Sequence, residues 1–147
     1  MEIMQLQLKD YEEIYELWMN TPGMGLNNVD DSQAGFERFL RRNPTTCFVA
    51  RQNEKAVGVI LCGHDGRRGY IYHLAVRKNN RRQGIATALV ASATEALRSE
   101  SIHKVALVVF SKNEDGNAFW EQAGFEERRD LTYRNKALAT IERIDVE

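Results

Sequence analysis

RKNNRRQGIATALVA, residues 77–91, decides how the rest of the chain is read. A β-like run, Gly69-Tyr-Ile-Tyr-His-Leu-Ala-Val76, leads into it. Beyond it Ile85, Leu89, Ala93 and Leu97 recur on one face at about four-residue intervals, the period of an α-helix. Between strand and helix lie Arg81, Arg82, Gln83 and Gly84, and the residues just before Ile85 include no Ser, Thr, Asp or Asn to cap it. The first turn of a helix carries backbone N–H groups without internal partners and a partial positive charge. An uncapped start beside two arginines is set up to receive an anion, a phosphate above all.

Arg81-Arg-Gln-Gly84-Ile-Ala86 resembles the (Arg/Gln)-x-x-Gly-x-(Gly/Ala) segment of the GNAT superfamily of acetyl-CoA-dependent N-acetyltransferases. In that family the loop and helix start hold the pyrophosphate of coenzyme A. The resemblance implies a cradle of backbone N–H groups from Arg82, Gln83, Gly84, Ile85, Ala86 and Thr87, with Arg81 beside it and no Cβ at Gly84 in the way. From the residues alone, a surface turn with basic edges is the alternative. The resemblance further implies that Leu74, Ala75 and Val76 pair through their backbones with the pantetheine arm, as an extra strand would. It also gives the thioester carbonyl a backbone N–H near Leu74 for its developing charge. An ordinary central strand would show the same residues.

Composition bounds the function classes. A chain of 147 residues suits one domain with a real core, and 43% hydrophobic with 28% charged residues is ordinary for a globular protein. Twenty basic residues nearly cancel twenty-one acidic ones, which argues against bulk binding to nucleic acid or to an anionic membrane. No apolar run reaches membrane-spanning length, and MEIMQLQLKDYEE lacks the basic start and apolar middle of a signal peptide. Cys47 and Cys62 show no CxxC spacing and read as buried thiols in a reducing compartment, neither a disulfide nor a metal site. A cytoplasmic protein without a metal is the expectation.

Met1–Leu8 reads as a first strand, and Asp10 with Glu13 as a capping box opening a helix with Ile14, Leu17 and Trp18 inward. Thr21-Pro-Gly-Met-Gly-Leu-Asn-Asn28 breaks that helix. A second helix starts at Asp31 or Ser32, turns Phe36, Phe39 and Leu40 inward, and stops before Pro44. Cys47–Arg51 and Ala56–Gly63 form a hairpin, followed by the Gly69–Val76 strand, the central helix and a β-rich run Lys104–Phe110. A short helix falls within Ser111–Gly124, and Phe125–Arg129 and Leu131–Lys136 read as a last pair of strands. For Leu138–Glu147 an extended last strand, a partner contact and a frayed end all stay open. The order suits a single α+β domain over residues 1–147. The resemblance adds a mixed, mostly antiparallel sheet of six to seven strands flanked by about four helices.

Period-two alternation places Tyr70, Tyr72, Leu74 and Val76 on one face and Ile71, His73 and Ala75 on the other. In the family the positions matching Tyr70 and Tyr72 often point into the acceptor groove and carry a base or a water relay, which leaves His73 facing away from it as a core histidine or one that supports the site from behind. With a reference pKa of about 10, neither tyrosine is a good base at neutral pH, so a water relay ending on a carboxylate is the expectation. Asn113 to Phe125 resembles the family's Asn-x-x-Ala-x-x-(Leu/Phe)-Tyr-Glu-x-x-Gly-Phe stretch, with Gly116 in place of Ala and Trp120 in place of Tyr. The family's tyrosine protonates the departing thiolate, and an indole cannot. Tyr133 and Tyr72 are candidate substitutes, and Trp120 reads equally as a core aromatic. Asn113 implies a contact to the cofactor arm, or else a helix cap.

Pro22-Gly-Met-Gly-Leu-Asn-Asn28 resembles the loop of a small bacterial GNAT subgroup which also carries Gly63-His-Asp-Gly-Arg-Arg-Gly69, and the loop Pro22–Asp31 reads as an acceptor lid or a plain connection. The resemblance implies acetyl transfer from acetyl-CoA to a primary amine of unidentified kind, by direct attack with Leu74, Tyr70, Tyr72 and Trp120 at the reaction centre. An acetyl-CoA-binding regulatory module is the alternative, and a nucleic-acid-binding domain is disfavoured by the charge balance. A C-terminal edge strand leaves a homodimer open.

Overall fold

Residues 1–147 are described by a computed structural model. Its first half runs β1 (Glu2–Gln5), α1 (Tyr11–Met19), β2 (Gly25–Asn27), α2 (Gln33–Arg42), β3 (Phe48–Gln52) and β4 (Lys55–His64). The second half runs β5 (Gly69–Val76), α3 (Ile85–Ser99), β6 (Val105–Leu107), α4 (Glu114–Gln122) and β7 (Arg143–Asp145). The sheet order is β1-β3-β4-β5-β6, antiparallel throughout except for the parallel β5–β6 pair. β2 and β7 form a separate antiparallel ribbon. The fold is thus α+β with a mixed, mostly antiparallel sheet and four helices.

Local chemistry explains most of the boundaries. Ser32 accepts the N–H of Gly35 at 3.1 Å and so fixes the start of α2. Asn53 and Glu54, with φ of 51° and 66°, make a tight turn of two left-handed residues between β3 and β4. The capping box expected at α1 is not formed. Asp10 instead accepts the N–H of Gln7 at 2.9 Å, and Glu13 reaches out of the helix to the N–H of Ala56 and to Arg51.

Two corrections concern strands. Phe125–Arg129 and Leu131–Lys136 form no strand. Five consecutive charged residues, Glu126 to Asp130, give that segment no apolar face to bury, and Arg128 closes onto Asp130 through two 2.8 Å bonds. The chain end is instead β7, which pairs with β2 inside the loop that sequence reading left as a lid or a connection.

The sheet separates two cores. On one face Ile14, Leu17 and Trp18 of α1 and Phe36 and Leu40 of α2 pack with Val49, Val59, Leu61 and Ala75. On the other, Ile85, Leu89, Ala93 and Leu97 of α3 pack with Val57, Ile60, Cys62 and Ile71. No helix is long and apolar enough to cross a membrane.

Candidate active site

The site grows from a discontinuity in the sheet. β6 pairs with only Gly69, Tyr70 and Ile71 of β5, so from Tyr72 onward the outer edge of β5 has no neighbouring strand. The N–H of Arg77 donates to the carbonyl of Val57 at 2.8 Å, and a Cβ at Gly58 would lie 3.3 Å from the carbonyl of Ala75. Backbone groups alternate in direction along a strand, so Ala75 and Arg77 address β4 while Leu74 and Val76 address the open edge. Ala75 therefore offers no backbone group to a ligand lying along that edge, contrary to the sequence expectation. Leu74 and Val76 do.

The start of α3 stands at the end of this edge. Arg82 and Gly84 have left-handed backbones, with φ of 63° and 77°, and curl the chain around Gln83. The first intrahelical bond runs from the N–H of Ala88 to Gly84, and none of the N–H groups from Arg82 to Thr87 has an acceptor in the protein. Arg81 and Arg82 are exposed. A Cβ at Gly84 would meet no atom within 4 Å, so the space in front of the turn is open. Gln83 accepts from Gln52 at 2.9 Å, and Gln52 accepts from Asn80 at 3.1 Å, which ties the loop to the end of β3. Sequence reading missed this brace, because 31 residues separate Gln52 from Gln83. The cradle fits a diphosphate: donors, positive charge and room coincide.

A β-bulge reorganises the face of β5 that carries the tyrosines. Leu61 pairs with His73 but Cys62 pairs with Ile71, so Tyr72 has no partner on β4 and the facing of β5 changes phase. The common face expected for Tyr70, Tyr72, Leu74 and Val76 is not found. Ile71, Leu74 and Val76 belong to the α3 side, whereas Tyr72 meets Phe39 of α2 at 5.5 Å between ring centres. Tyr70 stacks against Tyr72 at 4.6 Å. His73, expected to point away from the groove, is on the same side as Tyr72. Its ring sits edge-on to Trp18 at 5.0 Å, and its Nε2 lies 2.8 Å from Oδ1 of Asp31.

The tyrosines are hydrogen-bonding groups. Burial raises the Tyr70 hydroxyl above its ordinary value, assisted by Tyr133 and Tyr72. Burial, then Asp30 and Tyr133, do the same for Tyr72. Both thiols are pushed up to about 12, chiefly by burial. Trp120 packs between Phe119 and Phe125, each ring centre 5.0 Å away, and its indole N–H makes no hydrogen bond within the protein. Asn113 caps α4 by accepting the N–H of Gly116 at 2.9 Å, which leaves its Nδ2 without a partner.

A family model described as the acetyltransferase (GNAT) family matches residues 11–125. The chain belongs to that family. An acetyltransferase of Photorhabdus laumondii is 34% identical over 128 residues, 87% of this chain and 88% of that one. Ard1 from Thermoplasma volcanium has the same fold, with a TM-score of 0.72 at 22% identity over 84% of this chain and 80% of its own. So has AAC(6')-Iy in complex with a bisubstrate analogue, CoA-S-monomethyl-acetylneamine, with a TM-score of 0.71 at 20% identity over 92% and 98%. The acetyltransferase is thereby an acyltransferase of the acetyl-CoA-dependent kind, and the open edge of β5 and the bare start of α3 are the features to which a long, diphosphate-bearing thioester would be matched.

Proposed function

We propose that this acetyltransferase moves the acetyl group of acetyl-CoA to a primary amine by direct attack in a ternary complex. The single observation that carries the reading is the juxtaposition of the uncapped α3 start with the unpaired edge of β5. The N–H groups from Arg82 to Thr87, with Arg81 and Arg82, would hold the diphosphate. Leu74 and Val76 would pair with the pantetheine amides, and the Nδ2 of Asn113 is free for the same arm. When bound, acetyl-CoA supplies the activated acyl carbon.

The amine nitrogen adds to that carbon, and the carbonyl oxygen takes up the negative charge. The N–H of Leu74 points out of the sheet edge to receive it, a donor typically worth ~10²–10³ in rate. The C–S bond then breaks and the thiolate leaves. A relay through a cysteine is disfavoured because both thiols, at about 12, are protonated at neutral pH. Tyr70 and Tyr72 line the acceptor side as hydrogen-bonding walls. A protein N-terminus, a lysine side chain and a small amine all meet the chemical requirement. The neighbour bound to a CoA–neamine analogue supports an amine acceptor in this fold.

A second reading rests on Trp120, which occupies a packed position and whose indole N–H is too weak an acid to protonate a thiolate. On it the protein binds acetyl-CoA and turns over little. Titration calorimetry with acetyl-CoA on native protein and Gly84→Asp tests the first premise: native binding should be lost in the variant. Thiol release in the presence of an amine panel separates the readings. Native protein that does not bind acetyl-CoA would sink both.

A further inference from the structure

We propose that His73 takes the proton from the attacking amine, and that Asp31 is the positioning residue that holds its ring for the task. This rests on the amine-acetylation reading above. The bulge at Tyr72 brings His73 onto the acceptor side of the sheet, immediately before Leu74, whose N–H faces the open edge. A proton acceptor and an oxyanion donor thus occupy consecutive residues of one strand.

The ring is held at one nitrogen and left free at the other. Nε2 lies 2.8 Å from Oδ1 of Asp31, which can only accept, so Nε2 carries the hydrogen and Nδ1 the lone pair. Asp31 is fixed in turn. Its Oδ2 accepts the N–H of Asn27 at 2.9 Å, its main-chain carbonyl accepts the Tyr11 hydroxyl at 2.7 Å, and its side chain is only 5% exposed. Nδ1 has no hydrogen-bond partner in the protein. It is not sealed either, because the only unpartnered polar side-chain atoms shut away from solvent are Trp18 Nε1 and Arg77 Nη2. The free nitrogen therefore keeps some access to solvent, in a side chain that is 12% exposed.

Few other groups compete for the role. The loop before α2 presents Asp31, with Asp30 near Tyr72; α1 presents the neutral Trp18 and, through Asp31, the Tyr11 hydroxyl. α2 presents Phe36 and Phe39, and β4 presents Leu61 opposite. Tyr11 and Tyr72 are both raised above the ordinary phenol value, burial first, and stay protonated. An imidazole with one ring nitrogen held and the other unpartnered has a lone pair to receive a proton. The proton passes from the amine nitrogen to Nδ1 as the N–C bond forms, the imidazolium being steadied by the Asp31 carboxylate. It returns to solvent after coenzyme A leaves.

The test is His73→Gln, whose side-chain amide can still donate to Asp31 and so retains the brace. Acetyl-CoA affinity by calorimetry and the unfolding temperature should match native protein. Thiol release, measured from pH 6 to 10 with a tetrapeptide, an Nα-blocked lysine and a diamine as acceptors, should fall ~10²–10⁴-fold in kcat/KM at neutral pH. The loss should be largest at neutral pH and shrink as the pH rises and free amine accumulates. A variant within threefold of native with the native profile overturns the proposal. Nitrogen-15 NMR of the native ring, one of three histidines, decides independently of any acceptor or variant. The Nε2–H form is required, and an Nδ1–H form refutes the assignment. Failure of native protein to bind acetyl-CoA would be read separately, in the calorimetry, as failure of the parent reading.

Discussion

Gly84 and Gly124 have the same backbone habit, φ of 77° and 94°, and at either one a Cβ would meet no atom within 4 Å. They differ in what stands next to them. Gly84 opens onto bare N–H groups at the start of α3, whereas Gly124 closes the end of α4 by donating to Glu121. Alanine at either position should cost about 1 kcal/mol in urea unfolding, because L-residues resist the left-handed region. Only Gly84→Ala should also weaken acetyl-CoA binding, by tenfold or more, since its methyl group enters the space in front of the donors. Equal affinities for the two variants would remove Gly84 from the cofactor site. The bare helix start was legible in the sequence because an absent cap is a local fact; the left-handed turn at Arg82 and Gly84 was not. The brace from Gln52 was not, since it depends on two elements meeting.

At the scale of elements, the strand Gly69–Val76 was placed correctly and its faces were not. Alternation extrapolates straight through Gly69–Val76, and nothing at Tyr72, neither Gly nor Pro, announces a slip. The slip belongs to the pair: β4 offers Leu61 and Cys62 opposite three residues of β5. One unpaired residue put His73 on the same side as Tyr72, where it is still largely buried, against Trp18. The last two strands failed for the opposite reason: the charged run Glu126–Asp130 is plain in the sequence, and it leaves no apolar face to bury. Helix α3 stands on firmer ground, and its seat can be tested. A Cβ at Gly58 would lie 2.9 Å from Ile85 and 3.1 Å from Leu89, so the missing side chain is what lets α3 lie close to β4. Gly58→Val should destabilise by about 1–3 kcal/mol through overpacking. It should also weaken acetyl-CoA binding, because Ile85 is both the displaced neighbour and the first residue of the cradle helix. A loss of stability with unchanged affinity would mean that the helix start moves independently of its packing.

For the whole molecule, the layers are joined by charge as well as by apolar burial. α1 carries Glu13 to Arg51 of β3 at 2.8 Å and to the N–H of Ala56, while Asp10 meets the same guanidinium at 2.9 Å. Glu16 reaches Arg77, just past β5, at 2.8 Å. Burial alone would raise the Glu13 carboxyl, but the Ala56 N–H and the Arg51 guanidinium outweigh it and hold the group below its ordinary 4.5. The hydrogen bond from Arg77 does the same for Glu16, which is 52% exposed and so contributes less after screening. A carboxyl with a depressed folded-state pKa contributes stability that is present above its unfolded value and lost as pH falls through the folded one. The urea midpoint should therefore hold between pH 7 and about 5 and drop once the pH passes below the ordinary value of 4.5. Glu13→Gln retains an acceptor for Ala56 but loses the charge facing Arg51. It should unfold at lower urea at pH 7, by about 1 kcal/mol, and lose less than native protein on acidification. High salt should narrow the gap between the two at pH 7, since Glu13 is 35% exposed. If the acid transitions of native and Gln variant overlay, the ionised form is not what fastens α1 to the sheet, and the hydrogen bond to Ala56 together with the packing of Ile14, Leu17 and Trp18 must hold the two layers by themselves.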